Sequence, residues 1–321
     1  MKSILEKIKN INFKKNISET KNLSKKDIFK LTNKDEFTKI HKKYLNKVNK
    51  IILEKNEIKT IEISEYPENN EFIHYLIKCK ENSELTIILK QTSKESKEIF
   101  YRSAIYEIYQ DKNSKINFIE YQNLSNNFIN YNYKKSVLDH DAKINFYDFH
   151  IGSKYTNNIV LSDLNGKGSE SRNYSLYSSK DNQIFEIKNE SNHYNEKTFS
   201  DMINKSTVNN SSNTKYIGTV NITRNAKFSN GYQQSHSMIL DDESKSESIP
   251  ILEIDNSEVK CSHGATVGKI DKEKVFYLMS RGFNKKESKK ILVEGFITDL
   301  LKKIKNSNLR TEIQKEVMKK I

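Results

Sequence analysis

The amino-acid sequence predicts a mostly β protein, with a parallel β-helix core between a short N-terminal helical segment and a C-terminal helical bundle. Apolar and polar residues alternate at the β-strand period of two over residues 59–262, whereas both flanks carry apolar residues at the helical spacing of three and four. A short turn motif also repeats before successive predicted strands. Self-similarity of this kind is typical of stacked, equivalent units.

Residues 1–58 are predicted to form the helical segment. Within them, the stretch Lys34–Asn56 places its apolar residues mostly three and four apart, which indicates an amphipathic helix. These apolar positions are Phe37, Ile40, Tyr44, Val48, Ile51 and Ile52. The period changes to two after residue 58, so we place the first domain boundary there.

Residues 59–262 are predicted to be the β-helix, because runs such as "SELTIILKQ" and "AKINFYDFH" are rich in β-branched and aromatic residues. An Asn, Asp or Gly followed by Ser or Ala recurs just before many of these runs, at Ser83, Ser114, Ala142, Ser169, Ala226 and Ser257. The gaps are 31, 28, 27, 57 and 31 residues, and the longest is close to two of the others. A β-sandwich would show strands at shorter spacing without this repeat.

Such a solenoid stacks one coil on the next, and its interior is predicted to be a narrow stack of Ile, Phe, Val and Tyr. The alternative is a chance recurrence of turn signals in an asparagine-rich chain.

Residues 263–321 are predicted to form the helical bundle. Asp271 is the N-cap candidate of a first helix that stops at Gly282. Asn284 and Glu287 stand at the capping-box positions of a second helix. A third helix carries Leu309, Ile313 and Val317 in register.

The composition limits the function classes. The chain of 321 residues carries 55 Lys and Arg against 42 Asp and Glu, a net charge of +13. A basic surface can bind a polyanion, but arginine, which makes the bidentate phosphate and guanine contacts, is rare here, and lysine is enriched together with asparagine and isoleucine. We therefore expect no nucleic-acid partner, and a polyanion-binding β-helix is the alternative.

Targeting signals are also missing from the sequence. The first residues lack the apolar stretch of a signal peptide, and no apolar run approaches the ~20 residues of a transmembrane helix. Cys79 and Cys261 are the only cysteines, too few for a disulfide framework. We expect a cytoplasmic, reduced protein that has no membrane partner.

The segment "VKCSHGATVGKI" holds the candidate chemistry. Cys261 and His263 are metal-ligand types, but a structural zinc site needs four ligands and a catalytic site three. Gly264 and Gly268 lack the spacing of a phosphate-binding loop, and nothing nearby supplies an orienting carboxylate for a nucleophilic thiol. The residues alone leave two interpretations: half of a metal site that is shared between chains, or a buried structural thiol beside a turn histidine. In either case we expect the last strand to end at Cys261 and the glycines to form turns.

Three stretches resemble the SufB/SufD family, and specifically its SufD branch. Pro250–Phe283 closely resembles the C-terminal signature, Tyr216–Leu240 is similar to the Gly-x-Val…Ala…Gln…Leu pattern, and Ile291–Phe296 continues the likeness. SufB-like chains have His-Glu-Ala-Thr where this chain has "HGAT" at His263–Thr266, and they carry an upstream cysteine that "DDESKSESIPILEI" lacks. The resemblance indicates a SufD-like subunit of the SUF iron–sulfur cluster assembly scaffold.

The resemblance implies a right-handed parallel β-helix that acts as a scaffold and not as an enzyme. It implies pairing with a SufB-like subunit through the β-helix, and docking of a SufC-like ABC-type ATPase, which binds the ATP, on the C-terminal helices. It implies no permanent cofactor, only a transient iron–sulfur cluster shared with the partner. His263 matches the family histidine implicated in building that cluster, as a transient metal ligand, and Cys261 lies beside it. A homodimer is the alternative assembly.

Overall fold

A computed structural model of the chain describes residues 28–32 and 36–321, and the helical prediction for residues 1–27 lies outside them. The described chain forms a parallel β-helix of sixteen strands with one helix before it and three after it. Odd-numbered strands make one eight-stranded sheet, the odd sheet, and even-numbered strands make the even sheet. One odd strand and the even strand that follows it form one coil. The predicted fold class, a mostly β protein with a parallel β-helix core, is confirmed.

The helices are α1 (Glu36–Tyr44), α2 (Lys272–Ser280), α3 (Lys285–Leu301) and α4 (Ser307–Met318). The odd sheet contains β1 (Lys47–Leu53), β3 (Glu71–Cys79), β5 (Phe100–Gln110), β7 (Phe128–Leu138), β9 (Tyr155–Leu164), β11 (Ile184–His193), β13 (Asn213–Ile222) and β15 (Lys245–Ile254). The even sheet contains β2 (Ile58–Glu65), β4 (Glu84–Thr92), β6 (Lys115–Asn123), β8 (Lys143–His150), β10 (Glu170–Ser179), β12 (Phe199–Val208), β14 (Asn230–Ile239) and β16 (Lys260–Lys269).

The repeated turn motif marks the corner between the two strands of a coil. Its first residue has a positive φ, between 52° and 73°, at Asn82, Asn113, Asp141 and Gly168. Asn, Asp and Gly adopt this left-handed conformation most readily, which explains their recurrence. The small residue that follows is buried at the corner, and at Ser83 the hydroxyl donates to the carbonyl of Lys80 at 2.6 Å.

The sequence motif did not detect two corners, because residues other than Asn, Asp or Gly occupy their left-handed position. Lys197 (φ 57°) precedes Thr198, and Phe228 (φ 59°) precedes Ser229. Thr198 fills the predicted double gap, and Ser229, not Ala226, is the equivalent of the earlier serines. A side chain with a Cβ is strained at positive φ, so these corners depend on the coils stacked on either side.

The interior of the solenoid changes character along its length. In the first coils the inward positions of both sheets are mostly apolar and form one cluster. Further on, the same column of paired residues passes from Ile144 on β8 to Ser171 on β10 and Ser200 on β12. Hydroxyls there bond from coil to coil, as Ser206 Oγ does to Ser237 Oγ at 2.7 Å. The predicted interior stack of Ile, Phe, Val and Tyr therefore describes the first coils, but in the second half small apolar clusters alternate with polar side chains that satisfy one another's hydrogen bonds.

The N-terminal region differs from its prediction. The helix expected over Lys34–Asn56 ends at Tyr44, and the chain then enters β1, so the solenoid begins at Lys47 and not at residue 59. The stretch "KVNKIIL" fits either period, and Leu53 is fully buried against the next coil, so packing selects the strand. Helix α1 covers the outer face of the odd sheet, where Phe37 stacks on Tyr131 with ring centroids 4.6 Å apart.

The C-terminal helices begin and end as predicted. The Asp271 side chain accepts the N–H groups at the start of α2, Gly282 follows that helix at φ 96°, and Asn284 and Glu287 form the capping box of α3. Helices α3 and α4 pack on the outer face of the even sheet through one apolar cluster. Lys205 of β12 links the even sheet to α3, because its ammonium donates a hydrogen bond to the Phe296 carbonyl at 2.6 Å. Among the described residues, every helix is too short or too polar to cross a membrane.

Candidate functional site

The last strand, β16, carries both residues singled out by the sequence. It is one continuous strand from Lys260 to Lys269, so the boundary predicted after residue 262 cuts through it. Gly264 and Gly268 lie within the strand and not in turns, and a Cβ added at either position would meet no atom within 4 Å. The strand tolerates these glycines because its ten residues pair along their full length with β14.

Cys261 occupies an inward position at the open end of the solenoid. Its register partner on β14 is Gly231, and the Cys261 Sγ lies 3.4 Å from where a Gly231 Cβ would stand. The thiol packs on a small apolar cluster that includes Val220 and Ala226. Burial raises the pKa of the Cys261 thiol, which therefore stays protonated at neutral pH in the isolated chain. Cys79 lies on β3, far along the stack.

His263 lies on the same face of β16 as Cys261, because residues two apart in a strand point the same way. It is exposed, and the structure assigns it no hydrogen bond to any described residue. Its partner on β14 is Gln233, which is buried and donates from Nε2 to the Ile251 carbonyl at 3.1 Å. His263 is therefore an uncovered strand residue, not the turn histidine that was one sequence interpretation.

The terminal coil, formed by β15 and β16, is the open end of the solenoid. Strand β16 has a neighbour on one side only, β14, within the part of the chain that the structure describes. Its inward face would be buried in any earlier coil, but here Val267 is 42% exposed. An edge strand with an uncovered apolar and metal-ligating face is a surface on which another chain can pack.

A second exposed surface adjoins the terminal coil on α2. The helix leaves large apolar side chains in solvent, with Phe276 73% and Tyr277 57% exposed. A cavity of about 480 Å³ is lined by α2 and the end of β16, and Leu240, Ile270 and Lys289 are among its other lining residues. Only Ile270 and Asp271 separate β16 from α2, so the exposed faces of this strand and this helix are adjacent.

The structure also reveals a buried charged cluster that the sequence analysis missed. Glu120 and Asp148 are register partners on β6 and β8, and the Lys134 ammonium from β7 contacts both carboxylates. Burial alone would raise the pKa of Glu120, but the Lys134 ammonium beside it is the main cause that lowers it, to about 2. The signal was present, because "KINFIEYQ" and "KINFYDFH" place Glu120 and Asp148 at the same repeat position, on the inward face.

The fold and these surfaces together define a parallel β-solenoid whose open terminal coil presents an imidazole and a thiol on one strand face. Comparison with known families agrees with this class. Residues 62–296 match the family described as "SUF system FeS cluster assembly, SufBD core domain". The chain belongs to the SufBD family.

Curated relatives carry the same family description. A protein of Staphylococcus epidermidis (strain ATCC 12228), described as "Iron-sulfur cluster assembly SufBD family protein", is 30% identical over 202 residues, which cover 63% of this chain and 43% of the relative. Relatives from Staphylococcus aureus (strain USA300) and Staphylococcus haemolyticus show the same identity and coverage. The chain thus matches less than half the length of these relatives. The predicted family is confirmed, and the comparisons name SufB and SufD together.

Proposed function

We propose that this chain is a SufD-like scaffold subunit in ATP-driven iron–sulfur cluster assembly. In this function the chain carries no catalytic site. The terminal coil pairs with a SufB-like subunit, and the C-terminal helices carry a SufC-like ATPase that binds the ATP. His263, with Cys261 beside it, supplies this chain's share of a transient cluster site.

The uncovered face of β16 carries the proposal. An imidazole and a thiol on one strand face are too few ligands for a permanent metal cage, which takes three or four. At a surface that a second chain covers, the same two residues become part of a shared site. Few and exchangeable ligands suit a cluster that must be released, whereas a full cage would retain it.

The strand edge offers the means of pairing. The Lys260 N–H donates to the Ser229 carbonyl, just before β14, and the Ile270 N–H donates to the Ile239 carbonyl at its end. In parallel pairing, alternate residues turn their polar backbone groups to opposite sides. The backbone groups of Cys261, His263 and Ala265 therefore face the open edge. A strand of the partner can add there, with main-chain hydrogen bonds setting the register.

Co-purification tests the assembly. The chain, tagged, is co-expressed with SufB-like and SufC-like proteins and isolated under gentle conditions. We expect a complex of all three, whereas recovery of this chain alone would refute the proposal. Recovery of a stable dimer of this chain that excludes the SufB-like protein would favour the homodimer.

A single substitution tests the site. His263→Ala should leave the complex intact and lower the yield of assembled cluster, measured by visible absorption and by iron and sulfide content. His236→Ala is the matched control, because His236 lies on the neighbouring strand β14 but on its outward face. Equal cluster yield in the two variants would remove His263 from the mechanism.

A further inference from the structure

The buried cluster inside the solenoid has the donor set of a metal site. Glu120, Asp148 and His150 each offer a ligand atom, and these atoms all lie within 4.8 Å of one another. Glu120 and Asp148 are directly paired on adjacent strands, and His150 follows on the same face of β8. All three side chains are fully buried. Strand pairing, and not a flexible loop, holds the three donors together.

The charges of this cluster do not balance. Two carboxylates, Glu120 and Asp148, share one ammonium, that of Lys134, whose Nζ lies 2.5 Å from Asp148 Oδ1. Arg102, another buried cation, is paired with Glu65 at 2.5 Å. Asn132 Nδ2 donates to Glu120 Oε1 at 2.7 Å and Asn158 Nδ2 donates to Asp148 Oδ2 at 3.2 Å, but these amides are neutral. The two carboxylates therefore carry one negative charge more than the ammonium balances, and an excess buried charge is costly.

His150 provides the second, independent observation. Neither ring nitrogen has a hydrogen-bond partner among the described residues, although the side chain is fully buried. Its Nε2 lies 3.7 Å from Glu120 Oε2, too long for a hydrogen bond, and its ring stacks on Tyr177 at 5.3 Å. Buried polar groups are nearly always satisfied, so an imidazole held unpartnered against two carboxylates points to a missing ligand.

We propose that Glu120, Asp148 and His150 bind a divalent first-row transition-metal ion inside the β-helix. Two carboxylate oxygens and one imidazole nitrogen suit Fe²⁺, Mn²⁺ or Zn²⁺ better than Ca²⁺ or Mg²⁺, which prefer oxygen alone. Ligand bonds of about 2.0–2.2 Å need donors roughly 3–3.5 Å apart, so the side chains close inward slightly. The site is distinct from the terminal coil, because four strand spacings of ~4.8 Å separate β8 from β16.

Lys134 is the competitor for this position. Its ammonium now lies between the two carboxylates, and a metal ion enters only when that ammonium withdraws. Lys134→Met removes the competing cation while keeping a side chain of similar length. The variant is therefore expected to bind the metal at least tenfold more tightly than the unmodified chain.

The test measures metal content in the full chain. The protein is expressed in minimal medium supplemented with Fe²⁺, Mn²⁺ or Zn²⁺, passed through gel filtration to remove unbound ions and analysed by mass spectrometry for metals. The unmodified chain should retain close to one ion per molecule. His150→Gln should reduce that content at least tenfold. This substitution removes a ligand and breaks no hydrogen bond, so the fold should survive, as circular dichroism checks.

Two histidine controls separate this site from others. His193→Gln replaces a buried histidine whose nitrogens bond Thr198 and Ser200, and His263→Ala removes the terminal-coil histidine. Both should keep the metal. The inference is refuted if the unmodified chain holds no more metal than His150→Gln, or if the His263→Ala variant alone loses it. None of these measurements requires a partner protein, so failure of the proposed scaffold function would leave them unaffected.

Discussion

Gly231→Ala tests whether the packing of Cys261 on β14 requires a residue without a side chain at position 231. Gly231 lies on β14 directly beneath Cys261, and a Cβ there would stand 2.6 Å from Val220 Cγ1 and 3.4 Å from the Cys261 sulfur. Val220 is fully buried and β-branched, so its methyl group has no free space into which to turn. Overpacking of this kind lowers the free energy of unfolding by about 1–3 kcal/mol.

The assay is urea unfolding of the isolated chain, followed by circular dichroism, with the midpoint and slope fitted together. A rescue variant makes the reasoning specific. Val220→Ala alone should destabilise the chain because it leaves a cavity. In the double variant Gly231→Ala/Val220→Ala, the new methyl group occupies the space of the lost one. The double variant should therefore lose less unfolding free energy than the two single variants lose together. Gly264→Ala on β16 is the control and should be neutral, since its Cβ would meet nothing. Additive effects, or a neutral Gly231→Ala, would refute the packing argument.

Three further predictions follow from the terminal coil, α2 and the interior. Ala265→Pro should block pairing with the SufB-like subunit while leaving the isolated chain folded. Thr266→Pro removes an N–H from the ladder with β14, so it should lower the unfolding free energy of the isolated chain by roughly 1–3 kcal/mol. Equal co-purification of both variants with the partner would contradict this prediction. Replacing exposed Phe276 and Tyr277 by serine should weaken ATPase recovery at least roughly tenfold without affecting the SufB-like partner. Burial lowers the pKa of His193 from 6.5 to about 3, so between these pH values its imidazole binds a proton in the unfolded chain but not in the folded chain. This histidine should contribute a loss of stability of about 1.4 kcal/mol per pH unit as the pH falls through that window, and acid titrations of unfolding should show a slope smaller by about that amount in His193→Gln.

The corners of the solenoid show how far sequence reasoning reaches. Asn82 and Asn113 could be identified because the left-handed conformation restricts the residues that are favourable there. Lys197 and Phe228 adopt the same conformation although their residue types disfavour it. These two corners can be identified only from the structure, in which the neighbouring coils impose the conformation. A repeat is therefore predictable where each coil satisfies its own local geometry, and hidden where its neighbours impose that geometry.

The candidate site divides in the same way. Residue types were enough to select Cys261 and His263, but the predicted end of the last strand at Cys261 was wrong, and the structure places both residues on one face of β16. The sequence could not show that β16 runs on to Lys269, because glycine and alanine are poor strand formers on their own and the pairing with β14 decides the outcome. Exposure of His263 also depends on position in the stack: the same residue one coil earlier would be buried.

The interior polarity and the open end have a common consequence. An apolar solenoid interior left open at one end would expose a large hydrophobic patch, which invites aggregation whenever the partner is absent. Here many inward positions become polar before the end is reached, as Asn204 Nδ2 donating to Ser235 Oγ at 3.1 Å shows, so the terminal coil exposes less apolar surface than a continued stack of Ile, Phe and Val would. Cross-coil hydrogen bonds supplement small apolar clusters there, such as the one around Val220 and Ala226, and under the proposed function the terminal coil stays exposed until another chain covers it.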